Sequence, residues 1–441
     1  MRGNGKSSLR AGVGQFYQRE RLSNGLNEAN NPPFSLSAPS INRLLDVAVP
    51  QTGGSGSPSF GVDPGSDLPN TWQWNLTYEQ ELFRDSKLEL AYVGNRGIHI
   101  LRFTDANHVP QADWLNYAIS QGPDNSLRPF GAGNFGYIPY AEWKGGSNYH
   151  ALQALYRARV KAVDAQFAYT WSKSLSDTSL TSSGGAQNST VLLNPLNPRL
   201  NYGPSFINRP QTFVGNIVYN VPDFAGHSAL VRHALGGWEL AGILDYSSGP
   251  SMTVFLNGEI LEASGGFTGT GDTQGAARPN RVPGQPCRAP SGSPKFQWLN
   301  PAAWTVDNYQ LATFGTASVG ECSGPGIANT DFSFHKNFKI HERVNLQFRM
   351  EFFNLFNKVQ FRANSEDITG IDNNLIDHAQ ACNAGNVSDA GSVCFGHAIN
   401  SVGWSFDANS RDGIAYGNPH FGQAQHDKGP REIQYSLKIE F

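Results

Sequence analysis

Nowhere in the 441 residues is there an uninterrupted apolar run approaching the roughly 18 residues that a membrane-crossing helix requires. Hydrophobic residues make up 39% of the chain, and with 48 Gly and 26 Pro long helices or a helical array are improbable. If this chain enters a membrane, it must do so with strands. A basic block is also missing: 33 Lys and Arg stand against 36 Asp and Glu, so nothing suits the neutralisation of nucleic-acid phosphates, and no nucleic-acid partner is expected. The N-terminal MRGNGKSSLRAGVGQFY lacks an apolar h-region and a small-residue cleavage site, which for an exported protein suggests a truncated chain.

Signatures of chemistry are equally scarce. There is no Gly-x-Ser-x-Gly elbow and no His-Glu-x-x-His pair among the eleven His, so an enzyme is not expected. Gly5-Lys6-Ser7 has no upstream Gly at phosphate-loop spacing and reads as a turn. Asp367, Asp372, Asn373, Asn374 and Asp377 could gather oxygen ligands for calcium, but their spacing fits a solvated loop better. The four cysteines, Cys287, Cys322, Cys382 and Cys394, include no Cys-x-x-Cys, so neither a zinc site nor any other cofactor is expected. They lie in Gly-, Ser- and Asn-rich stretches that suit loop disulfides. Of the three possible pairings the sequence-local ones, Cys287–Cys322 and Cys382–Cys394, are favoured, which implies an oxidising compartment.

What the sequence does have is period-two alternation. Trp72, Trp74, Leu76 and Tyr78 alternate with Gln73, Asn75, Thr77 and Glu79, which is the signature of a strand with unlike faces. Val163 to Ser172 repeats the pattern with Tyr169 and Trp171 on the apolar side, and so does Val344 to Glu351. The last residues alternate in the same way, with Ile433, Tyr435, Leu437, Ile439 and Phe441 opposite Glu432, Gln434, Ser436, Lys438 and Glu440; helix geometry would scatter both sets. Weaker segments at Ser7 to Tyr17, Lys87 to Val93, His150 to Arg159, Gln211 to Val221, Trp238 to Ser247 and Thr330 to Phe338 bring the total to ten.

The connections alternate too. Long ones, at about 18–70, 95–148, 173–209, 248–329 and 354–431, take turns with short or intermediate ones. In an up-and-down antiparallel barrel that rhythm puts all long loops on one side, as in outer-membrane barrels with short periplasmic turns and long extracellular loops. The expectation is an all-β, antiparallel transmembrane barrel, incomplete, with ten or more C-terminal strands of a larger barrel. Trp72, Trp74, Tyr78, Tyr92, Tyr169 and Trp171 would form the aromatic girdle on the lipid face. Arg10, Arg157, Arg159, Arg349 and Glu351 would line the lumen, either to meet a plug or a solute or to neutralise one another within the wall. The alternative is a soluble β-sandwich or secreted adhesin, whose strands also alternate but whose turns come every 8 to 12 residues or so. The terminal Tyr435, Leu437, Ile439 and Phe441 resemble the signal read by the barrel-assembly machinery.

Several phrases, in order, resemble one family: LRAGVGQFYQRE from Leu9, NNPPF from Asn30, YVGNRG from Tyr92, NYHALQ from Asn148, YTWSKSLSD from Tyr169, GGWELAGI from Gly236, SGPSMTV from Ser248, NTDFSFHKNFKI from Asn329, FRMEFFNLFNKVQF from Phe348 and the closing YSLKIEF. Together they are similar to the Oar-like, TonB-dependent outer-membrane receptors. The resemblance covers the later barrel, so that residues 1–441 would be a partial receptor barrel without plug or carboxypeptidase-regulatory-like domain. It implies a place in the bacterial outer membrane, lipid around the wall, uptake of an unidentified extracellular solute, and a TonB complex reached only through a plug absent from this sequence. The runner-up function is surface adhesion or structural contact through the long loops.

Overall fold

A computed structural model describes residues 5–18, 60–65, 67–119, 125–130, 135–178, 192–254, 278–305, 312–341, 344–361, 421–424 and 427–440. Ten long strands form one antiparallel sheet: β1 Ser7–Tyr17, β2 Asn70–Phe83, β3 Ser86–Asp105, β4 Pro139–Val160, β5 Val163–Ser176, β6 Gln211–Asn220, β7 Trp238–Ser247, β8 Ile327–His341, β9 Val344–Phe353 and β10 Glu432–Glu440. Each pairs with the strand before and after it in sequence, so the topology is strictly up-and-down. Among the described residues β1 and β10 have a long neighbour on one side only, and the sheet is open rather than closed into a ring. No helix among the described residues is long and apolar enough to cross a membrane.

Register decides which residues share a face. Leu9 pairs with Tyr78, Tyr78 with Leu90, Leu90 with Ala154, Ala154 with Tyr169, Tyr169 with Phe213 and Phe213 with Tyr246. Farther along, Gly242 meets Phe332, Phe332 meets Phe352 and Phe352 meets Ile433. Because side chains alternate strictly, fixing one such row fixes all of them. The apolar sets of the ten strands therefore merge into one continuous face. These side chains are bare: Val13 is 74% exposed, Trp171 59% and Tyr435 65%. Among the described residues no second sheet covers them, unlike a sandwich, where that face would be the core.

The hydrophobic core lies instead in the long connections. Trp304, Tyr117, Leu192, Met252, Leu299, Val109 and Val254 are wholly buried, and none belongs to a wall strand. One cluster gathers Met252, Val254, Leu299, Trp304 and Cys322 from the β7–β8 connection with Phe421 from the β9–β10 connection. A second sets Phe60, from the β1–β2 connection, against Phe103 and Trp143. The third packs Val109, Trp114 and Tyr117 on Leu127, Ala312 and Phe314. Leu192 N–H donates to the Phe103 carbonyl at 3.1 Å, which ties in the β5–β6 connection. Parts of all five long connections thus pack at one end of the sheet, in a cap of three apolar clusters.

Two of these connections are shorter than alternation alone indicates. The segment expected as a loop over 95–148 is strand as far as Asp105 and again from Pro139, and β5 runs on to Ser176 inside the expected 173–209 loop. In β3 and β4 a β-bulge hides the continuation: register shifts at Ile98/Ile100 and Ile100/Leu101, where His99 adopts φ 58°. A bulge moves the side-chain phase by one, so the alternation stops being readable although the ladder continues.

Candidate functional site

The face opposite the apolar one carries the charge. Near its turn end, Glu79 of β2 lies directly across from Glu89 of β3. Two carboxylates in register repel each other, and cations from both neighbours relieve them: Arg10 makes a short contact to Glu79 and lies 3.9 Å from Glu89, Lys87 reaches Glu79 at 2.8 Å, and Ser8 Oγ donates to it at 3.3 Å. A cleft of about 480 Å³ beside this group is lined by Lys6, Glu79, Glu81, Asp85 and Lys87.

Of the other expected lumen residues, Arg159 grips Asp164 across the tight β4–β5 turn through Nε at 2.8 Å. Arg349 donates to Gln347 Oε1 at 2.7 Å. Glu351 lies 3.8 Å from His335, whose other ring nitrogen lies 3.4 Å from Glu239, so one imidazole of β8 stands between carboxylates of β7 and β9. Arg157 is exposed, without an ion-pair partner among the described residues. The structure thus assembles Arg10 into one group and Glu351 into another, rather than bringing the five together. Glu79, Lys87, Glu89, Glu239 and His335 complete these groups; their polar-face parity was visible, but which strand lies beside which was not.

On the apolar face, Trp72, Tyr78, Tyr92, Tyr169 and Trp171 are exposed and Trp74 is half-buried. Trp74 and Tyr92 converge on His150: the Tyr92 hydroxyl and His150 Nδ1 are 2.8 Å apart, and the Trp74 and His150 rings are 6.0 Å apart. Tyr435, Leu437 and Ile439 are exposed on β10. Phe441, Cys382, Cys394 and the Asp367 to Asp377 run lie outside the described residues.

The cap has its own polar skeleton. Asp105, at the tip of β3, accepts from the peptide N–H of Asn107 at 2.8 Å and of Ile138 at 3.0 Å, and pairs with Arg128 at 2.5 Å; both side chains are almost wholly buried. Burial pushes the Asp105 carboxyl above its ordinary value, while Arg128 and the two peptide donors pull it back. Arg128 continues to the Asn107 carbonyl and lies over the Tyr117 ring at 5.3 Å. Arg102 bridges Glu142 at 2.6 Å and Asp177 at 3.5 Å, linking β3 and β4 to the residue that follows β5, above the bulge. Beside it, hydrogen bonds to Asp63 and Glu142 hold the Lys144 ammonium above its usual value. Cys287 and Cys322 are joined by a disulfide across the β7–β8 connection, separated by 35 positions. Glu321 sits against the two sulfurs, but with both thiols oxidised the trio has no thiolate to offer a metal.

One sheet with a bare apolar face, a charged face and all long connections at one end is the geometry of a membrane wall. The family model of the outer membrane beta barrel domain matches residues 1–434. The chain belongs to that family. No curated protein matches the sequence. Among solved structures it is similar to the outer membrane transporter YddB from Escherichia coli, at 12% identity and a TM-score of 0.42, over 81% of this chain and 35% of that one. It is also similar to FpvA of P. aeruginosa, solved with a heterologous pyoverdine and iron, at 9% identity and a TM-score of 0.36, over 83% of this chain and 28% of that one. The chain therefore spans less than two thirds of the length of either protein.

As an outer membrane β-barrel domain, the chain resides in the bacterial outer membrane with its apolar face on lipid. Its short turns at Arg84–Asp85 and Lys161–Ala162 then face the periplasm and its cap faces outward. About 9 to 11 tilted residues cross a bilayer, so the 20 residues of β3 and 22 of β4 carry the hairpin well beyond the outer surface.

Proposed function

We propose that this barrel domain is the wall of a TonB-dependent receptor that takes up a solute from outside the cell, and that it is a binding and transport device rather than an enzyme. The observation that carries the reading is the division of labour between the ends of the sheet: a folded cap built from all five long connections outside, and a charged inner face ending in the Arg10, Glu79, Lys87 and Glu89 group at the periplasmic side. A general porin needs only a water-filled polar lumen. A folded cap with its own apolar clusters and disulfide suits selective capture, and an inner surface of paired charges with a cleft beside them suits a plug that docks and leaves.

In this reading the solute meets the cap, passes along the polar face, and energy arrives from a TonB complex through a plug held inside the barrel. Tyr435, Leu437, Ile439 and Phe441 would present β10 to the assembly machinery, and Trp72, Trp74, Tyr78, Tyr92, Tyr169 and Trp171 would anchor the wall in its bilayer.

The test is growth of a deletion strain on limiting oligosaccharides, oligopeptides or iron chelates, together with uptake of the labelled compound, with and without a protonophore. Loss of growth on one class, with protonophore-sensitive uptake restored by the gene, supports the proposal. Unchanged uptake of every class with lost attachment to surfaces would overturn it in favour of an adhesive role.

A further inference from the structure

The β6–β7 connection is at the periplasmic end, yet it is not a tight turn. It holds a helix, α1 Ala229–Leu235, capped by Ser228, whose Oγ accepts from the Val231 N–H at 3.4 Å. The helix is tied to the outside of the wall. Register places Lys336 opposite Trp238 of β7 and Phe348 of β9, on the lipid-facing side. Its ammonium makes a short contact with the His233 carbonyl, lies 3.4 Å from that of Ala234, and stands 5.0 Å from the Trp238 ring. The Trp238 indole N–H donates to the same Ala234 carbonyl at 2.9 Å. A lysine on a lipid face is costly unless its charge is met. Here the carbonyls ending a helix meet it, and only 4% of the residue is exposed.

At 3.6 residues per turn, Leu230, Val231, Ala234 and Leu235 fall on one side of α1, and Arg232 and His233 on the other. Leu230 is 80% exposed and Leu235 57%. Bare leucines on a helix docked to the outer face of a membrane wall continue the apolar belt of that wall.

We infer that α1 is an in-plane anchor that lies in the periplasmic leaflet of the outer membrane, with Leu230 and Leu235 in the acyl boundary and Arg232 on the phosphates of anionic phospholipid. Lys336 and Trp238 act as the positioning residues that hold it there. An amphipathic helix binds an interface through its apolar area and through attraction to anionic headgroups, and α1 has both.

The experiment places a nitroxide, through a ketone-bearing unnatural residue that leaves the native cysteines alone, at position 230, 235 or 233 of the intact protein in phosphatidylethanolamine/phosphatidylglycerol vesicles. Power saturation then compares oxygen with a water-soluble nickel chelate. Labels at 230 and 235 are expected to be severalfold more accessible to oxygen than to nickel, and the label at 233 the reverse. Nickel access at 230 and 235 equal to that of a label on the cap residue Leu196 would overturn the inference, and so would shielding from both reagents, which would mean a protein partner covers the helix. Lys336→Met, with native heat-modifiable migration, should free the label at 230 and admit nickel, whereas Lys336→Arg should not. An unmoved label in Lys336→Met would remove Lys336 from the anchor.

Discussion

Gly94 lies directly opposite Trp74 in the β2–β3 ladder, and a methyl group built on Gly94 would come within 2.1 Å of the indole. The missing side chain is what lets the ring lie flat across β3 toward Tyr92 and His150. Gly94→Ala is expected to displace Trp74 and cost about 1–3 kcal/mol, the usual penalty of overpacking. Trp74→Ala made together with it should recover most of the added penalty. Urea unfolding from vesicles, followed by heat-modifiable migration, measures both; additive losses would deny the contact.

The two faces of the wall predict opposite responses to charge. Ile217 faces the same side as Ala165 and Gly242, and its neighbour Asn216 faces Gln166. Ile217→Arg should destabilise the folded barrel by roughly 2–4 kcal/mol near mid-membrane, and Asn216→Arg by much less. Equal effects in the same unfolding assay would sink the assignment of lipid and lumen faces.

Breaking the buried pair in the cap should be costly and local. Arg128→Met leaves the Asp105 carboxylate without its cation, an expense of about 3–5 kcal/mol for a pair at this depth. Hydrogen exchange at the Asn107 and Ile138 amides, both held by Asp105, should speed up while wall amides stay protected. Adding Asp105→Asn should reverse part of the loss, because the stranded charge is then gone.

Reduction separates cap from wall in another way. A bridge closing 35 positions contributes roughly 4 kcal/mol in the chain-entropy account. Cys287→Ser is expected to open the β7–β8 connection to limited proteolysis near Trp298 and Trp304 while gel mobility of the barrel is unchanged. Protection equal to the unaltered protein would show that the Met252, Leu299 and Trp304 cluster suffices alone.

Much of the wall was legible because period two is a local property. Trp72 to Glu79, Val163 to Ser172 and Ile433 to Glu440 announce their faces without knowledge of any neighbour, and the long and short connections announce an up-and-down order. Lys336 was not legible as an outer-face residue, because its strand reads weakly and its partners, the carbonyls of His233 and Ala234, lie about a hundred positions away. The upper parts of β3 and β4 were hidden for a different reason: the bulge at His99 shifts the phase, and residues such as Arg102 and Glu142 then bury in a pattern that follows the cap rather than a bilayer.

By itself the sequence determined the strands, their two unlike faces and the side on which the long loops fall, since each follows from alternation and spacing along the chain. Tertiary structure alone decided that the loops pack into a cap, that Arg10 and Lys87 relieve the Glu79 and Glu89 pair, and that a lysine holds a helix on the outer wall. Those outcomes depend on register and on contacts between segments distant in sequence, and a side chain's period carries no information about which strand will stand beside it.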